Sequence, residues 1–293
     1  MKVGIFGQSN NEITIKYVKE LVDLCRHYEV SIVIEENLFK SFHQLASDEN
    51  VDTFTGYESL TKNLDFFFSV GGDGTFLRSI TFIRDLGIPV IGINTGRLGF
   101  LANIQKESIY AAFEQIMTGQ YTIQKRSLLQ VDTEERLNDI GNLNFALNEI
   151  TITRKNTASM IKVETILDNE FLTSYWSDGL IISTPTGSTG YSLSCGGPII
   201  SPTSENIVLT PIAPHSLVVR PLVIPDKTHI ELHIDSRADE VLLTLDSRMY
   251  TLHNKSTVFI QKSDFFISTL QLNDQTFIKT LREKLLWGQD KRN

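Results

Sequence analysis

Cysteine is scarce in this chain of 293 residues, which contains only Cys25 and Cys195. The two cysteines are far apart in sequence, and neither belongs to a cluster of cysteines and histidines with the spacing of zinc ligands. A disulfide framework is therefore not indicated, and a reducing, cytoplasmic compartment fits the composition. Long apolar runs are also missing, because none approaches the roughly 18 residues of a membrane-spanning helix.

Basic residues are in deficit, with 27 Lys and Arg against 35 Asp and Glu, so the formal net charge is -8. This balance argues against a nucleic-acid partner bound by a basic face. The remaining composition, with 41% hydrophobic and 21% charged residues, is that of an ordinary globular protein. The length is sufficient for two domains and a large core.

The first 120 residues alternate between apolar runs and segments of helical periodicity. Strands are predicted at KVGIFG, SIVIEE, DFFFSV and IPVIGIN. Helices are predicted at residues 13–28, 75–86 and 108–117. This alternation predicts a doubly wound, Rossmann-like α/β domain with a parallel sheet over residues 1–125.

From about residue 126 the chain changes to short alternating segments separated by turn residues. Examples are FALNEITITR, SMIKVETILD, HIELHID and VLLTLD. Alternation with a period of two predicts antiparallel strands, and hence a β-sandwich-like domain over residues 126–273. The last segment, DQTFIKTLREKLLWG, returns to helical spacing, and we expect a helix over 274–293 that packs back on the first domain.

A glycine-rich stretch, SVGGDGTFLRS at residues 69–79, overlaps the end of the strand DFFFSV. It lacks the lysine of a P-loop, and position 77 is Leu where the dinucleotide-binding fingerprint has Gly. Glycines between a buried strand and a helix N-terminus nevertheless favour a bound anion, so one interpretation is a phosphate cradle. The other is a tight strand-to-helix turn that is capped by Asp73.

Asp73 lies in the middle of this glycine run. Two unit charges about 4 Å apart repel by about 4 kcal/mol at an effective dielectric constant of 20, so a bare carboxylate beside a polyphosphate is unfavourable. The side chain must therefore face a divalent cation or a hydroxyl whose proton it accepts. A general base beside a phosphate cradle is typical of a phosphotransferase. Arg78, one helical turn further, either reaches a ligand phosphate or is solvated.

The densest polar stretch of the chain is YWSDGLIISTPTGSTGYSLSCGGPIISP at residues 175–202. Its composition is that of a loop, but its hydroxyls and glycines also suit a ligand with ribose or phosphate groups. Tyr191 could stack on such a ligand, and Asp178 could accept hydrogen bonds from its ribose or carboxamide. Asn148 and Glu149 interrupt the strand FALNEITIT, where Glu is disfavoured, and form a third candidate site.

Together these motifs resemble those of the NAD kinase family. The matching stretches are, in chain order, GGDGTFL, NTGRLGFL, the pair Asn148–Glu149, SDGLIISTPTGSTGYSLSCGGPI, PIAPHSL and LREKLLWG. They run from residue 71 to 288 and cover most of the chain. GGDGT also has relatives in diacylglycerol, sphingosine and 6-phosphofructo-kinases, whereas the long loop signature is much more specific.

The resemblance implies an enzyme that phosphorylates the adenosine 2′-hydroxyl of NAD with ATP, giving NADP, with a divalent cation such as Mg²⁺ or Mn²⁺ on the donor phosphates. It implies Asp73 as general base, and Gly71, Gly72, Gly74 and Thr75 as ligands of the ATP phosphates. The implied NAD-binding residues are Asp73, Gly74, Arg78, Asn148, Glu149, Trp176, Asp178, Ser188, Thr189, Gly190, Tyr191, Ser192, Leu193, Ser194 and Arg248. A homodimer or homotetramer is expected by resemblance only, with no nucleic-acid or membrane partner.

Three positions depart from the family pattern: Gly190 stands where Ala is usual, Ser247 where many members have Gly, and Arg248 where Gln is common. Arg248 is long and charged enough to contact a phosphate from a neighbouring subunit. Two other functions stay open from the sequence, a lipid or sugar kinase that shares GGDGT and a nucleotide sensor without catalysis. The TPTGSTGY loop argues against the first, and Asp73 argues against the second because a sensor does not need a base.

Overall fold

A computed structural model describes residues 1–43, 51–60, 63–134, 140–156 and 158–286 of the chain. The chain divides into two compact units, the first made of Met1–Lys125 with the chain from Ile267 onward, and the second of Arg126–Phe266. The chain was expected to return to the first domain at residue 274, but it does so earlier, within a strand. The reason is that the end of this strand pairs with the first unit's sheet, where Thr269 is in register with Val90.

Helices and strands alternate along the first part of the chain, and strands dominate the second part. The helices are α1 (Glu12–His27), α2 (Glu36–His43), α3 (Asp73–Ile83), α4 (Ile109–Met117), α5 (Tyr191–Ser194) and α6 (Phe277–Leu285). The strands are β1 (Lys2–Gly7), β2 (Ser31–Glu35), β3 (Asp52–Phe54), β4 (Phe66–Gly71), β5 (Val90–Asn94), β6 (Ile104–Gln105), β7 (Tyr121–Thr133), β8 (Phe145–Ala146), β9 (Glu149–Arg154), β10 (Ile161–Leu167), β11 (Glu170–Ser177), β12 (Gly179–Ser183), β13 (Asn206–Ile212), β14 (Leu222–Pro225), β15 (Ile230–Asp235), β16 (Glu240–Leu245), β17 (Arg248–His253) and β18 (Thr257–Leu272). Short 3₁₀ turns lie at Tyr57–Ser59, Arg84–Leu86, Lys106–Ser108 and Thr186–Thr189.

The first unit is built on a parallel sheet with the strand order β5-β4-β1-β2-β3. Every residue of β4 and β5 is buried, as expected for strands that are covered on both faces. On one side, α1 and α4 share a core with these strands. On the other side, α3 buries Phe76 and Ile80, and the ring of Phe82 lies 4.9 Å from that of Phe6. The predicted doubly wound α/β domain is confirmed.

The glycine-rich stretch forms the turn between β4 and α3. The helix begins at Asp73, two residues before the predicted start at Thr75, and it ends at Ile83 where the 3₁₀ turn Arg84–Leu86 takes over. Its N-cap residue is Gly72, which has no side chain to offer a hydrogen bond. Asp73 is therefore the first helical residue and not the N-terminal cap that one interpretation expected.

The second unit consists of antiparallel strands. One group has the order β14-β13-β12-β9-β16-β17 and the other has the order β11-β10-β15-β18. Inward-facing residues of both groups, such as Ile152 and Leu180 from the first and Val163 and Leu232 from the second, belong to one hydrophobic core. The predicted antiparallel, sandwich-like domain is confirmed.

Helix α6 packs within the first unit, as the sequence predicts. The hydroxyl of Thr276 accepts a hydrogen bond from the Lys279 N–H at 3.1 Å and so caps the helix. Leu281 is buried, and the Phe277 ring lies 6.3 Å from the ring of Phe100. Residues 287–293 of the predicted helix lie outside the described part of the chain. Where the structure is described, no helix is both long and apolar enough to span a membrane.

Candidate active site

The turn between β4 and α3 leaves backbone N–H groups open to a ligand. The first N–H groups of a helix have no acceptor within the helix, and the helix dipole makes this end positive. A Cβ atom added at Gly72 or Gly74 would meet none of the described atoms within 4 Å. The fold itself therefore does not require glycine at these two positions, and the open space suits the close approach of a phosphate.

Gly71 and Thr75 lie against each other within this turn. A Cβ atom at Gly71 would lie 2.3 Å from the Thr75 hydroxyl oxygen, so the two residues are packed directly against each other. The Thr75 hydroxyl is buried and has no hydrogen-bond partner among the described residues. The binding of a nucleotide phosphate by Gly71 and Thr75 stays a prediction.

The carboxylate of Asp73 is held by the loop that follows β5. Its Oδ2 accepts a hydrogen bond from the Phe100 N–H at 2.9 Å, and its Oδ1 accepts from the N–H groups of Leu101 at 3.0 Å and Ala102 at 2.9 Å. A Cβ atom at Gly99 would lie only 1.9 Å from Oδ1. The motif NTGRLGFL thus supplies a backbone clamp, by which we mean the segment 99–102, that fixes both carboxylate oxygens.

A lysine from the C-terminal helix reaches the same carboxylate. The Nζ atom of Lys284 lies 3.7 Å from Asp73 Oδ2 and 4.5 Å from the centre of the Phe100 ring. Sequence reasoning missed this residue, because LREKLLWG predicts a helix but gives no information on which residues its last turn approaches. Only the long-range packing of α6 reveals the contact.

Arg78 is exposed and lies in the wall of a polar cavity of the first unit. The cavity has a volume of about 470 Å³ and lies at the ends of the first strands, with Arg78, the segment 8–11, Glu35 and Thr55 among the residues of its wall. The Arg78 guanidinium also lies 5.5 Å from the centre of the Phe6 ring. Arg78 is accessible to a ligand, and its contact with a nucleotide stays a prediction.

Asn148 and Glu149 stand at the start of β9 in the second unit. The buried carboxylate of Asp246 accepts hydrogen bonds from the backbone N–H groups of Leu147 at 3.0 Å, Asn148 at 2.7 Å and Glu149 at 3.3 Å. Asp246 therefore fixes the backbone of the pair. Sequence reasoning also missed this residue, because a lone Asp at the end of the segment VLLTLD gives no sign of a partner about a hundred positions earlier.

Glu149 is a buried carboxyl group with an unusual charge state. Its pKa is raised to about 8, mainly by burial and also by the nearby carboxylate of Asp246, while a hydrogen bond from the Tyr191 N–H opposes both effects. Its Oε2 atom and the Oδ1 atom of Asn148 are buried and have no hydrogen-bond partner among the described residues. Buried polar atoms are normally satisfied, so these two atoms are suited to bind polar groups of a ligand.

The TPTGSTGYS loop approaches this pair closely. A Cβ atom on Gly187 would lie 2.1 Å from the carbonyl oxygen of Asn148, and a Cβ atom on Gly190 would lie 3.0 Å from Glu149 Oε2. The structure thus brings two of the sequence motifs together within the second unit. Gly190, which stands where alanine was expected, leaves the Glu149 carboxyl group uncrowded.

The hydroxyls of two predicted NAD-binding serines form hydrogen bonds within the protein. Ser188 and Ser192 are fully buried. The Ser188 hydroxyl donates to the carbonyl of Pro185 at 2.7 Å, and the Ser192 hydroxyl is hydrogen-bonded to that of Thr210 at 2.8 Å. Their hydroxyls hold the loop in shape, and a contact of either residue with the nucleotide stays a prediction.

Other predicted residues of this region remain accessible. Trp176 is 54% exposed and Tyr191 is 43% exposed. Thr189, Gly190 and Leu193 are partly exposed and Ser194 is exposed. These side chains and the backbone around them are free to face a ligand.

Asp178 and Arg248 both take part in ion pairs within the second unit. Asp178 Oδ2 lies 3.1 Å from Nη2 of Arg154, a residue that sequence reasoning missed. Arg248 lies 3.7 Å from the Asp246 carboxylate, and its guanidinium donates to the carbonyl of Leu143 at 2.5 Å and to that of Phe145. These bonds give Arg248 a role in holding the segment before β9, and a contact with a nucleotide phosphate stays a prediction.

Comparison with known families identifies both halves of the chain. Residues 3–121 match the ATP-NAD kinase N-terminal domain, and residues 147–272 match the ATP-NAD kinase C-terminal domain. The chain belongs to the NAD kinase family. It is an enzyme that phosphorylates NAD with ATP, which decides against the lipid-kinase and sensor alternatives.

Curated relatives and solved structures agree with this assignment. The chain is 49% identical to the NAD kinase of Christiangramia forsetii and 48% identical to that of Flavobacterium psychrophilum, in each case over 294 residues and the full length of both chains. It is similar to yeast NADH kinase complexed with NADH, with a TM-score of 0.87 and 27% identity over 100% of this chain and 89% of that chain. The fold also matches an NAD kinase from Archaeoglobus fulgidus in complex with ATP, with a TM-score of 0.76 and 24% identity over 98% and 99% of the two chains.

Proposed function

We propose that this NAD kinase transfers the γ-phosphoryl group of ATP to the adenosine 2′-hydroxyl of NAD, giving NADP, with Asp73 as the general base. The observation that carries this proposal is the backbone clamp, in which three N–H groups orient the Asp73 carboxylate directly beside the open glycine-rich turn. A base must lie within hydrogen-bond reach of the proton that it accepts, and holding it rigidly there favours reaction.

The proposed step balances without further reactants. The 2′-hydroxyl oxygen of NAD forms a bond to the γ-phosphorus of ATP as the bond from that phosphorus to the bridging oxygen of ADP breaks. The hydroxyl proton passes to the carboxylate of Asp73. ADP leaves with the electron pair of the broken bond.

The donor phosphates are proposed to bind at the glycine-rich turn. The N–H groups of Gly72 and Gly74 and the positive end of α3 would attract them. Gly71 and Thr75 shape this turn through their mutual contact. Arg78 supports the proposal as an exposed guanidinium in the second turn of α3, because such a group can bind a nucleotide phosphate.

A divalent cation, Mg²⁺ or Mn²⁺, is proposed to enter with the donor phosphates. In the described part of the chain, no three His, Cys, Asp or Glu side chains come together as a metal-binding group. This fits Mg²⁺, which proteins usually bind through one or two carboxylates together with substrate phosphates and water. When bound, the cation would neutralise charge on the phosphates.

NAD is proposed to bind through residues of the second unit as well as through Asp73. The unsatisfied buried atoms of Asn148 and Glu149 and the carboxylate of Asp178 are suited to the ribose, adenine or carboxamide groups. The exposed rings of Trp176 and Tyr191 and the loop residues 189–194 would line the pocket.

A cytoplasmic location and a homodimer or homotetramer complete the proposal. The location is supported by the two free cysteines, Cys25 and Cys195. The assembly is supported by the family resemblance. Size-exclusion chromatography with light scattering would determine the number of subunits.

The experiment that tests the base is an assay of NADP formation from NAD, ATP and Mg²⁺ with the wild-type enzyme and Asp73→Asn. We expect turnover to fall by about 10²- to 10⁴-fold in the variant, because a general base contributes about this much. Asn keeps the shape of the side chain, and circular dichroism should confirm that the variant is folded. Near-normal turnover in a folded Asp73→Asn enzyme would refute the role of Asp73.

A further inference from the structure

Lys284 places an ammonium group beside the proposed base. Its Nζ atom lies 3.7 Å from Asp73 Oδ2, and the two side chains are 33% and 30% exposed. The pair is therefore open to solvent on one side, where a substrate can reach both groups. The Phe100 ring, whose centre is 4.5 Å from Nζ, supports the lysine from another side.

The position of Lys284 is determined by the packing of α6. The helix is capped by Thr276, buries Leu281, and places Phe277 against the ring of Phe100. Phe100 belongs to the clamp that holds Asp73. Phe100 thus contacts both α6 and the carboxylate of the proposed base. The packing of α6 therefore holds the lysine near the carboxylate.

The glycine-rich stretch contains one cation, Arg78, but no lysine, and Lys284 is the ammonium that the structure places beside Asp73. The stretch SVGGDGTFLRS has no lysine, whereas a P-loop carries one that contacts the β- and γ-phosphates. If Asp73 accepts the proton of the attacking hydroxyl, that hydroxyl oxygen lies about 2.6–3.2 Å from the carboxylate. The phosphoryl group that bonds to this oxygen must then pass within a few bond lengths of Asp73, and so close to Lys284.

We infer that Lys284 is a catalytic residue, which contacts the transferred phosphoryl group and neutralises its charge. This inference rests on the proposed role of Asp73. Lys284 remains protonated throughout, and its N–H groups donate to the non-bridging oxygens of the phosphoryl group while the hydroxyl proton goes to Asp73. A lysine ammonium binds phosphate as a compact point charge.

The first test compares Lys284→Met with Lys279→Met. Both substitutions remove one ammonium from α6 and keep an unbranched side chain, but Lys279 Nζ bonds to the carbonyl of Asp274 at 3.3 Å and not to Asp73. We expect kcat to fall by about 10²- to 10³-fold in Lys284→Met, the usual cost of removing a group that stabilises transition-state charge. The KM for NAD and the melting temperature should change little, Lys279→Met should behave as the wild type, and Lys284→Arg should recover part of the lost rate.

A double variant separates contact with the phosphoryl group from mere positioning of the base. If Lys284 acted only through the carboxylate, Lys284→Met would cost nothing further in an Asp73→Asn enzyme, because the carboxylate is already gone. We expect the double variant to be at least about tenfold slower than Asp73→Asn alone, because Asp73→Asn keeps the contact between Lys284 and the phosphoryl group and the double variant loses it. Equal rates for these two enzymes, or a normal kcat in Lys284→Met, would overturn the inference. Normal turnover in Asp73→Asn would instead remove the base role, so the two failures are distinguishable.

Discussion

Glu149 is the residue whose charge depends most clearly on its surroundings. Its pKa is raised from 4.5 to about 8 in the fold, mainly because the carboxyl group is buried. In the unfolded chain the same group ionises near its ordinary value. Between about pH 4.5 and pH 8 the folded chain therefore holds a proton that the unfolded chain has lost. The contribution of this group to stability is fully present below pH 4.5, decreases as the pH rises through this window, and levels off above pH 8.

Replacing Glu149 by glutamine should remove this pH dependence, because the amide does not titrate. We expect the melting temperature of Glu149→Gln minus that of the wild type to be higher at pH 8.5 than at pH 5. Thermal unfolding of both proteins at a series of pH values measures this difference directly. A difference that stays constant across the series would show that the pKa of Glu149 is not raised.

Gly99 is the position at which the backbone clamp depends on the absence of a side chain. The clamp is an element of four residues, and its geometry leaves only 1.9 Å between a Cβ atom at Gly99 and Asp73 Oδ1. Such a contact is impossible, so Gly99→Ala must displace either the carboxylate or the loop. A displacement of about 1 Å at a reacting group can cost about 10²-fold in rate.

We therefore expect Gly99→Ala to lower kcat by one to two orders of magnitude, or roughly 10- to 100-fold. Gly96→Ala, in the same loop, is the matched control, because its Cβ atom would meet nothing nearer than Asn94 Oδ1 at 3.9 Å among the described atoms. Steady-state kinetics and thermal unfolding of both variants test this prediction. Equal activity of the two folded variants would mean that the clamp does not position Asp73.

At the scale of the whole molecule, the first unit is discontinuous in sequence. Its final residues arrive only after the chain has completed the second unit at Phe266. The chain leaves the first unit after Lys125 and returns to it at Ile267. These two points are near each other, because the Thr269 hydroxyl donates to the carbonyl of Gln124 at 3.3 Å. A short linker can therefore replace the whole of the second unit without straining the first.

We expect a chain in which a short Gly-Ser linker joins Lys125 to Ile267 to fold and to melt cooperatively. Residues 1–125 alone should be much less stable, because they lack α6 and the end of β18, which pairs with β5. Differential scanning calorimetry and circular dichroism of the two chains make the comparison. If the linked chain does not fold and is no more stable than residues 1–125, the first unit depends on the second.

The sequence by itself determined the type of each half of this protein and the positions of its main motifs. Continuous apolar runs predicted the buried parallel strands, and period-two alternation predicted the antiparallel ones, because both signals are local. The motifs GGDGT and TPTGSTGY likewise stand out locally as glycine- and hydroxyl-rich breaks between elements. The prediction that Asp73 is a general base likewise came from its neighbours in the sequence.

The tertiary structure decided which atoms these motifs contact. Lys284 is brought to Asp73 from more than two hundred positions away, and Asp246 is brought to Glu149 from about a hundred. The burial of the Ser188 hydroxyl within its own loop was equally invisible in the sequence. Such contacts depend on how whole elements pack, and no periodicity or local composition records which distant side chain will fill a given place.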